Sequence, residues 1–170
     1  KSIISNQATI EIRTAKQYYF KPFLLTEAHW LRKEYPDAIL VNGSTDVALR
    51  QTKKKEVFAG IIDISGVDEL CALTEEPGSW VIGAGVPLEQ VKTWSEKRLP
   101  ALFNMLRVFG SLQIRYVATL GGNVGSASPI GDTLPFLIAC GAKIKVCSMH
   151  AERIIPVEDF ITGYRKTDLR

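Results

Sequence analysis

Histidine and cysteine are scarce in this chain of 170 residues: there are two of the first and three of the second. Cys71, Cys140 and Cys147 lack the paired spacing of a metal-ligand set. His150 follows closely behind Cys147, but Cys140 falls in a helical pattern and Cys147 in a strand pattern, and no paired motif supplies a fourth ligand. No metal is expected. An odd, sparse set of cysteines with apolar flanks reads as buried thiols of a reducing compartment, so a cytoplasmic location is expected. Long apolar runs are also missing. No stretch of about 20 apolar residues exists, which argues against a membrane span. The N-terminus has no charged region followed by an apolar core, so no signal peptide is visible. The first residue is Lys1 rather than Met, which reads as a chain that begins inside a longer precursor or has been processed. A strong charge of either sign is absent as well. The net charge is +3, and no basic stripe interleaved with aromatics occurs, so nucleic acid is not an expected partner. Arg50 and Lys53 to Lys55 form one short basic run, read as a solvated helix end or loop. Repeats and low-complexity tracts are lacking.

What is present is an ordinary globular composition, 46% hydrophobic and 23% charged, enough for a sizeable core. The length suits one domain or two small lobes. Residues 9 to 13 alternate and read as a short strand. Leu24, Ala28, Leu31 and Tyr35 form one apolar stripe at helical spacing, closed by Pro36-Asp37. Short apolar strands follow at Ile39–Val41 and Val57–Ile64, with a helical pattern over Val47–Gln51 between them. Residues 19–64 thus read as a small β-α-β-α-β lobe. Glu75-Glu76-Pro77-Gly78 is turn chemistry between strands at Cys71–Thr74 and Ser79–Ala84, a hairpin. Leu88–Lys97 and Pro100–Phe109 read as helices, and Ser111–Tyr116 as a connector. Thr133–Cys140 reads as a helix ended by Gly141, Ala142–Cys147 as a strand, and the tail from Gly163 as a mobile basic loop. His29 reads as a surface or boundary residue.

The richest stretch is Ala118 to Asp132, ATLGGNVGSASPIGD. Gly121, Gly122 and Gly125 allow close backbone approach or φ > 0. Successive free amides in such a turn can form a nest for phosphate oxygens. Thr119, Asn123, Ser126 and Ser128 offer short polar groups, and Asp132 is placed as a helix N-cap. On local chemistry alone this is either a ligand cradle or a tight turn with a cap. A second stretch, Leu40 to Val47, runs from an apolar strand into Asn42-Gly43-Ser44-Thr45-Asp46. Free amides there suit an anion, and two such loops can clamp a pyrophosphate. Gly83-Ala84-Gly85 begins like a dinucleotide fingerprint. Leu88 stands where the third glycine belongs, however, and no acidic residue follows about 20 positions on. It reads as a tight passage from strand to helix.

LVNGSTDV (40–47), IGAGVPLEQV (82–91), RYVATLGGNVGSASPIGD (115–132) and GYRKTDL (163–169) together resemble the flavin domain of the molybdenum hydroxylase family. That family includes xanthine dehydrogenase, aldehyde oxidase and carbon monoxide dehydrogenase, and the spacing here is most like xanthine dehydrogenase. The resemblance runs from about Tyr19 onward. It implies an α+β fold, a two-lobed FAD-binding domain of the molybdopterin dehydrogenase (PCMH-like) type. The expected division is an N-terminal extension or linker over 1–18, a small lobe over 19–66 and a larger α+β lobe over 67–170. The family's C-terminal domain, of roughly a hundred residues, is expected to be absent, together with some flavin contacts.

The resemblance also assigns residues. Leu40, Val41, Asn42, Gly43, Ser44, Thr45, Asp46 and Val47 match the loop around the pyrophosphate and adenosine end of FAD. Thr119, Leu120, Gly121, Gly122 and Asn123 match a second phosphate loop. Asp132 matches a residue that contacts the cofactor, and Phe109 an aromatic beside the flavin ring; read without the resemblance, Phe109 is helix core. Asp46 is itself negative, so it is expected to order its turn or to accept a hydrogen bond rather than touch phosphate. Tyr164 and Arg165 match a loop near the nicotinamide site. The implied function is an electron-transfer module, with an iron–sulfur domain and a molybdopterin subunit as partners and NAD as acceptor. No catalytic acid or base is assigned. The alternatives are the flavin subunit of an aldehyde or carbon monoxide dehydrogenase, and a nucleotide-binding module without redox chemistry.

Overall fold

A computed structural model describes residues 8–169. The first half is built on a four-stranded mixed sheet. Its strands are β1 (Ile10–Arg13), β2 (Tyr18–Lys21), β3 (Ile39–Val41) and β4 (Gly60–Asp63), in the order β1-β2-β4-β3. β1 and β2 are antiparallel, while β4 runs parallel to both β2 and β3. Parallel neighbours need crossovers, and α1 (Leu25–Glu34) and α2 (Val47–Thr52) supply them. The β-α-β-α-β reading therefore holds, with the last strand shorter than expected because Val57 is left in solvent. β1 is an edge strand of this sheet, in keeping with the alternation over residues 9–13; residues 1–7 lie outside the described residues. Phe20, Leu31, Ala38 and Ile62 form this lobe's core. Each large apolar side chain so buried contributes about 1.5–3 kcal/mol. The Tyr19 hydroxyl donates to Asp63 at 2.8 Å across β2 and β4. Burial first, and then that carboxylate, push its pKa up to about 12, so it remains a donor.

The second half is helical, with small hairpins at its margins. β5 (Leu73–Glu76) and β6 (Ser79–Ile82) form the expected hairpin, turning at Gly78 with φ +78°. α3 (Leu88–Ser95) and α4 (Pro100–Val108) follow, the latter with proline in its first turn, a position where the missing N–H costs nothing. Two short helices come next, α5 (Leu112–Val117) and α6 (Leu120–Gly125). Neither was legible as a helix. Each is capped by a hydroxyl: Ser111 accepts from the Ile114 amide at 3.3 Å, and Thr119 from the Gly122 amide at 3.1 Å. A cap of this kind is worth about 1 kcal/mol. α7 (Thr133–Ala139) leads to the antiparallel pair β7 (Lys143–Cys147) and β8 (Glu152–Pro156). α8 (Val157–Phe160) precedes a last hairpin, β9 (Ile161–Gly163) and β10 (Lys166–Thr167). The tail read as a loop is thus paired. Val86, Leu88, Val91, Leu102, Leu106, Ala118 and Leu120 make the core of this half.

The cysteines depart from expectation. Cys71 and Cys140 are exposed and Cys147 is half-buried. Cys140 follows α7 as its C-cap, with Gly141 turning at φ +61° behind it, and Cys71 sits in an irregular segment before β5. Cys147 Sγ lies 3.5 Å from His29 Nε2. Among the described residues no group of three His, Cys, Asp or Glu is arranged to hold a metal ion. Among the described residues no helix is long and apolar enough to cross a membrane.

Candidate functional site

Three turns converge. The first follows β3. An ideal β-carbon on Gly43 would fall 1.8 Å from the Val117 carbonyl oxygen, so only glycine lets this turn meet the end of α5. The second is the passage at Gly83-Ala84-Gly85, dismissed above as a nucleotide fingerprint. Gly83 and Gly85 donate to Ala72 and Leu70, which brings the passage beside Asn42, 3.0 Å from the ideal Gly85 β-carbon. The third is the Thr119 cap and α6. Leu88 donates to Ala118, Leu120 to Val86 and Gly121 to Ala84, at 2.8, 3.2 and 2.9 Å. The middle turn therefore stitches the two glycine-containing stretches together.

The two stretches offer different chemistry. After β3, the backbone N–H groups of Gly43, Ser44, Thr45, Asp46 and Val47 have no protein acceptor among the described residues. The first amide to find one is Ala48, bonded to Ser44 at 2.8 Å. Ser44 takes φ +60°, a left-handed step within this run of amides. Alternation of right- and left-handed residues is how a backbone nest for anions is made. Ser44 and Thr45 add hydroxyls; Ser44 Oγ makes only a 3.5 Å contact with Asn42 O.

The second stretch corrects the expectation of a nest. Its first three amides, at 120, 121 and 122, all donate inside the protein. Gly121 and Gly122 have helical rather than positive φ. Gly121 serves close packing, since a β-carbon there would stand 2.5 Å from Ala84 Cβ. What this stretch presents to a ligand is Asn123. Thr133, fully buried, donates its hydroxyl to Asn123 Oδ1. That fixes the side chain and leaves its Nδ2 group as a donor without a protein partner among the described residues.

The other assigned residues fall into two groups. Val41 and Leu120 are 8% and 7% exposed, so their side chains belong to the cores. Leu40 packs against the first core, and Val47 is half-buried. Asp132 stands at the N-cap position of α7, but its side chain caps nothing and is exposed. It lines an open cleft of about 480 Å³ with Met105, Val108, Ile130 and Pro135. Phe109 follows Val108 and packs against the second core.

Electrostatics complete the site. Asp46 does not cap α2. Its carboxylate accepts from Arg165 Nη1 at 3.1 Å, which fastens the β9–β10 hairpin to the first turn and neutralises a charge that would oppose phosphate. The expectation that Asp46 accepts a hydrogen bond is met by that partner. Arg165 itself sits at φ +51° in the hairpin turn.

Sequence reasoning gave no role to Arg115 or Glu89. Arg115 Nε donates to Glu89 Oε2 at 2.6 Å, and its Nη1 donates to the Phe109 and Gly110 carbonyls at 2.9 and 3.0 Å. Lys92 also bonds Glu89. Hydrogen bonds from Lys92 first, and from Arg115, hold the Glu89 carboxyl below the usual carboxylate range. No local signal marks a buried arginine in a stretch that reads as a connector.

The donor set fits a dinucleotide with a pyrophosphate: unpartnered amides, hydroxyls and a fixed carboxamide for the anion, beside an apolar cleft with one carboxylate.

Comparison with known proteins agrees. Residues 10–170 match the family described as FAD binding domain in molybdopterin dehydrogenase. Xanthine dehydrogenase/oxidase of Gallus gallus is 35% identical over 161 residues, which cover 88% of this chain and 12% of that protein. Xanthine dehydrogenase of Oryza sativa is 32% identical over 164 residues, 89% of this chain and 12% of that one. The chain therefore spans about an eighth of the length of these relatives. Among solved structures, carbon monoxide dehydrogenase from Hydrogenophaga pseudoflava matches with a TM-score of 0.86 and 25% identity, over 94% of this chain and 56% of that one. Quinoline 2-oxidoreductase from Pseudomonas putida 86 matches with a TM-score of 0.84 and 24% identity, over 92% of this chain and 55% of that one. At that identity the second match speaks for the fold.

Proposed function

The chain belongs to the family of FAD-binding domains of molybdopterin dehydrogenases, and from that membership we propose that it is the flavin module of a xanthine dehydrogenase-like molybdenum hydroxylase. In this reading it receives electrons from iron–sulfur clusters and delivers them to NAD. The clusters and the molybdopterin lie on other domains or chains, and the site sits between two lobes divided near residue 66. The observation that carries the reading is the run of five unpartnered amides from Gly43 to Val47, held against α5 by the contact of Gly43 with Val117.

When bound, FAD supplies the exchange between one-electron carriers and a two-electron hydride acceptor. The protein's part is to bind and orient. The amides of Gly43 to Val47 and the hydroxyls of Ser44 and Thr45 would hold the pyrophosphate, and Asn123 Nδ2 would donate from the opposite stretch. Thr133 prevents that carboxamide from turning. Arg165 cancels the Asp46 charge, so the turn presents a net attraction to an anion. Met105, Val108 and Ile130 would give the ring system apolar contacts along the open adjoining cleft, and Asp132 at its rim would offer a carboxylate to a donor of the cofactor. Phe109 supplies an aromatic face.

The test is anaerobic addition of NADH to the native enzyme that contains this chain, followed by visible spectroscopy and identification of the released cofactor. Bound FAD that bleaches with NADH supports the reading. FAD that ignores NADH assigns the module to a relative with another acceptor, such as an aldehyde or carbon monoxide dehydrogenase. An enzyme without flavin overturns it in favour of a plain nucleotide site.

A further inference from the structure

Arg115 is the one charged residue among the described residues that the fold buries, at 8% exposure. A buried cation costs stability unless its donors are satisfied. Here one guanidinium reaches three acceptors on two elements: Glu89 in the first turn of α3, and the consecutive carbonyls of Phe109 and Gly110 at the end of α4. The end of a helix gathers partial negative charge on its last carbonyls, which favours a cation there. Gly110 leaves the helix at φ +50°, a conformation that turns its carbonyl to the same donor. An ion pair of this kind is weak evidence of stability and stronger evidence that a particular geometry is being held.

The geometry held is the exit of α4. Phe109 is its C-cap residue, half-buried, and its backbone is fixed by Arg115 on one side and by the Leu106 carbonyl on the other, which its amide meets at 3.3 Å. The same arginine lies two residues before Val117, whose carbonyl abuts Gly43. One side chain thereby holds the backbone from which the Phe109 ring projects and, through α5, the backbone against which the first turn rests. We propose that Arg115 is a positioning residue for the flavin: with Glu89 it fixes the backbone of Phe109, and so the place of the ring assigned beside the isoalloxazine. This rests on the reading of Phe109 as the aromatic beside that ring.

The test uses the native enzyme carrying Phe109→Leu, Arg115→Gln or Arg115→Lys. The readouts are FAD affinity and the position and shape of the visible flavin band, beside the melting temperature of the flavin-free protein. Phe109→Leu is expected to shift that band and to weaken FAD binding about two- to twelvefold, the scale of one aromatic contact. Arg115→Gln is expected to reproduce both changes. Arg115→Lys falls between, because one ammonium does not span a carboxylate and two carbonyls. A lower melting temperature with a native band and native affinity in both arginine variants, while Phe109→Leu changes the flavin, reduces Arg115 to a structural role and overturns the inference. A native spectrum in Phe109→Leu removes its premise and overturns it together with the ring placement. If Arg115→Gln does not accumulate, the Lys variant decides between the same outcomes.

Discussion

The carbonyl oxygen of Val117 occupies the space in which a β-carbon on Gly43 would stand, with an ideal separation of only 1.8 Å. Two segments more than seventy residues apart in sequence therefore meet backbone to backbone. One carries the unpartnered amides, and the other leads into the Thr119 cap and Asn123. Glycine is needed at position 43 for this approach rather than for an unusual φ.

Asp46 and Arg165 are expected to act as a pair on the cofactor. Both side chains are about two-fifths exposed, so the bridge adds little to folding. Arg165→Ala leaves a carboxylate unopposed beside the pyrophosphate and is expected to weaken FAD binding up to about fivefold, the scale of one exposed pair. The double variant Asp46→Asn with Arg165→Ala should recover most of that loss. Titration of FAD into the deflavinated enzyme checks it; a double variant no better than Arg165→Ala contradicts the charge argument.

The glycines of α6 should separate by position. Gly121→Ala places a methyl 2.5 Å from Ala84 Cβ and is expected to cost about 1–3 kcal/mol of stability by overpacking. Gly125 has no neighbour within 4 Å of an added methyl, so Gly125→Ala should be neutral or stabilising by up to about 1 kcal/mol. Denaturant midpoints compare the two.

Acid should loosen the arrangement around Phe109. The Glu89 carboxyl is held below the usual carboxylate range in the folded protein by Lys92 and Arg115. Its contribution is fully present above the unfolded-state value, about pH 4.5, and is lost as pH falls through the depressed folded value. Glu89→Gln should flatten the acid limb of the stability profile, measured as melting temperature against pH. An unchanged acid limb in that variant assigns the sensitivity to other carboxyls.

Much of the fold was legible because its elements obey local rules. The apolar strands read at 39–41 and 57–64, the stripe of α1 and, in the second half, the turn at Gly78 each declare themselves by period or by turn chemistry. α5 and α6 did not. Leu-Gly-Gly-Asn-Val-Gly is a poor helix former, and it is helical because Thr119 caps it and its leading amides find carbonyls at Ala84 and Val86. Those partners lie more than thirty residues away and leave no local trace. The turn after β3 was singled out through its small polar residues. Asn123 was named, and of the two local readings of this stretch, cradle or capped turn, the amides of Gly121 and Gly122 follow the capped turn, since both donate within the protein. The pairing of Arg165 with Asp46 became readable only once the hairpin placed the two together. Arg115 remained hidden because nothing in QIRYV distinguishes a buried arginine from a solvated one.

The most direct measurement is the ratio of FAD to polypeptide in the purified native enzyme carrying Gly43→Ala. The substitution changes no polar group. It forces the turn away from Val117, and with it the five amides. Loss of most of the FAD, with the enzyme still assembled and with its far-ultraviolet circular dichroism retained, is the predicted result. A full complement of FAD in that variant would show that the convergence of the two segments does not hold the cofactor, and the account would fail at its centre.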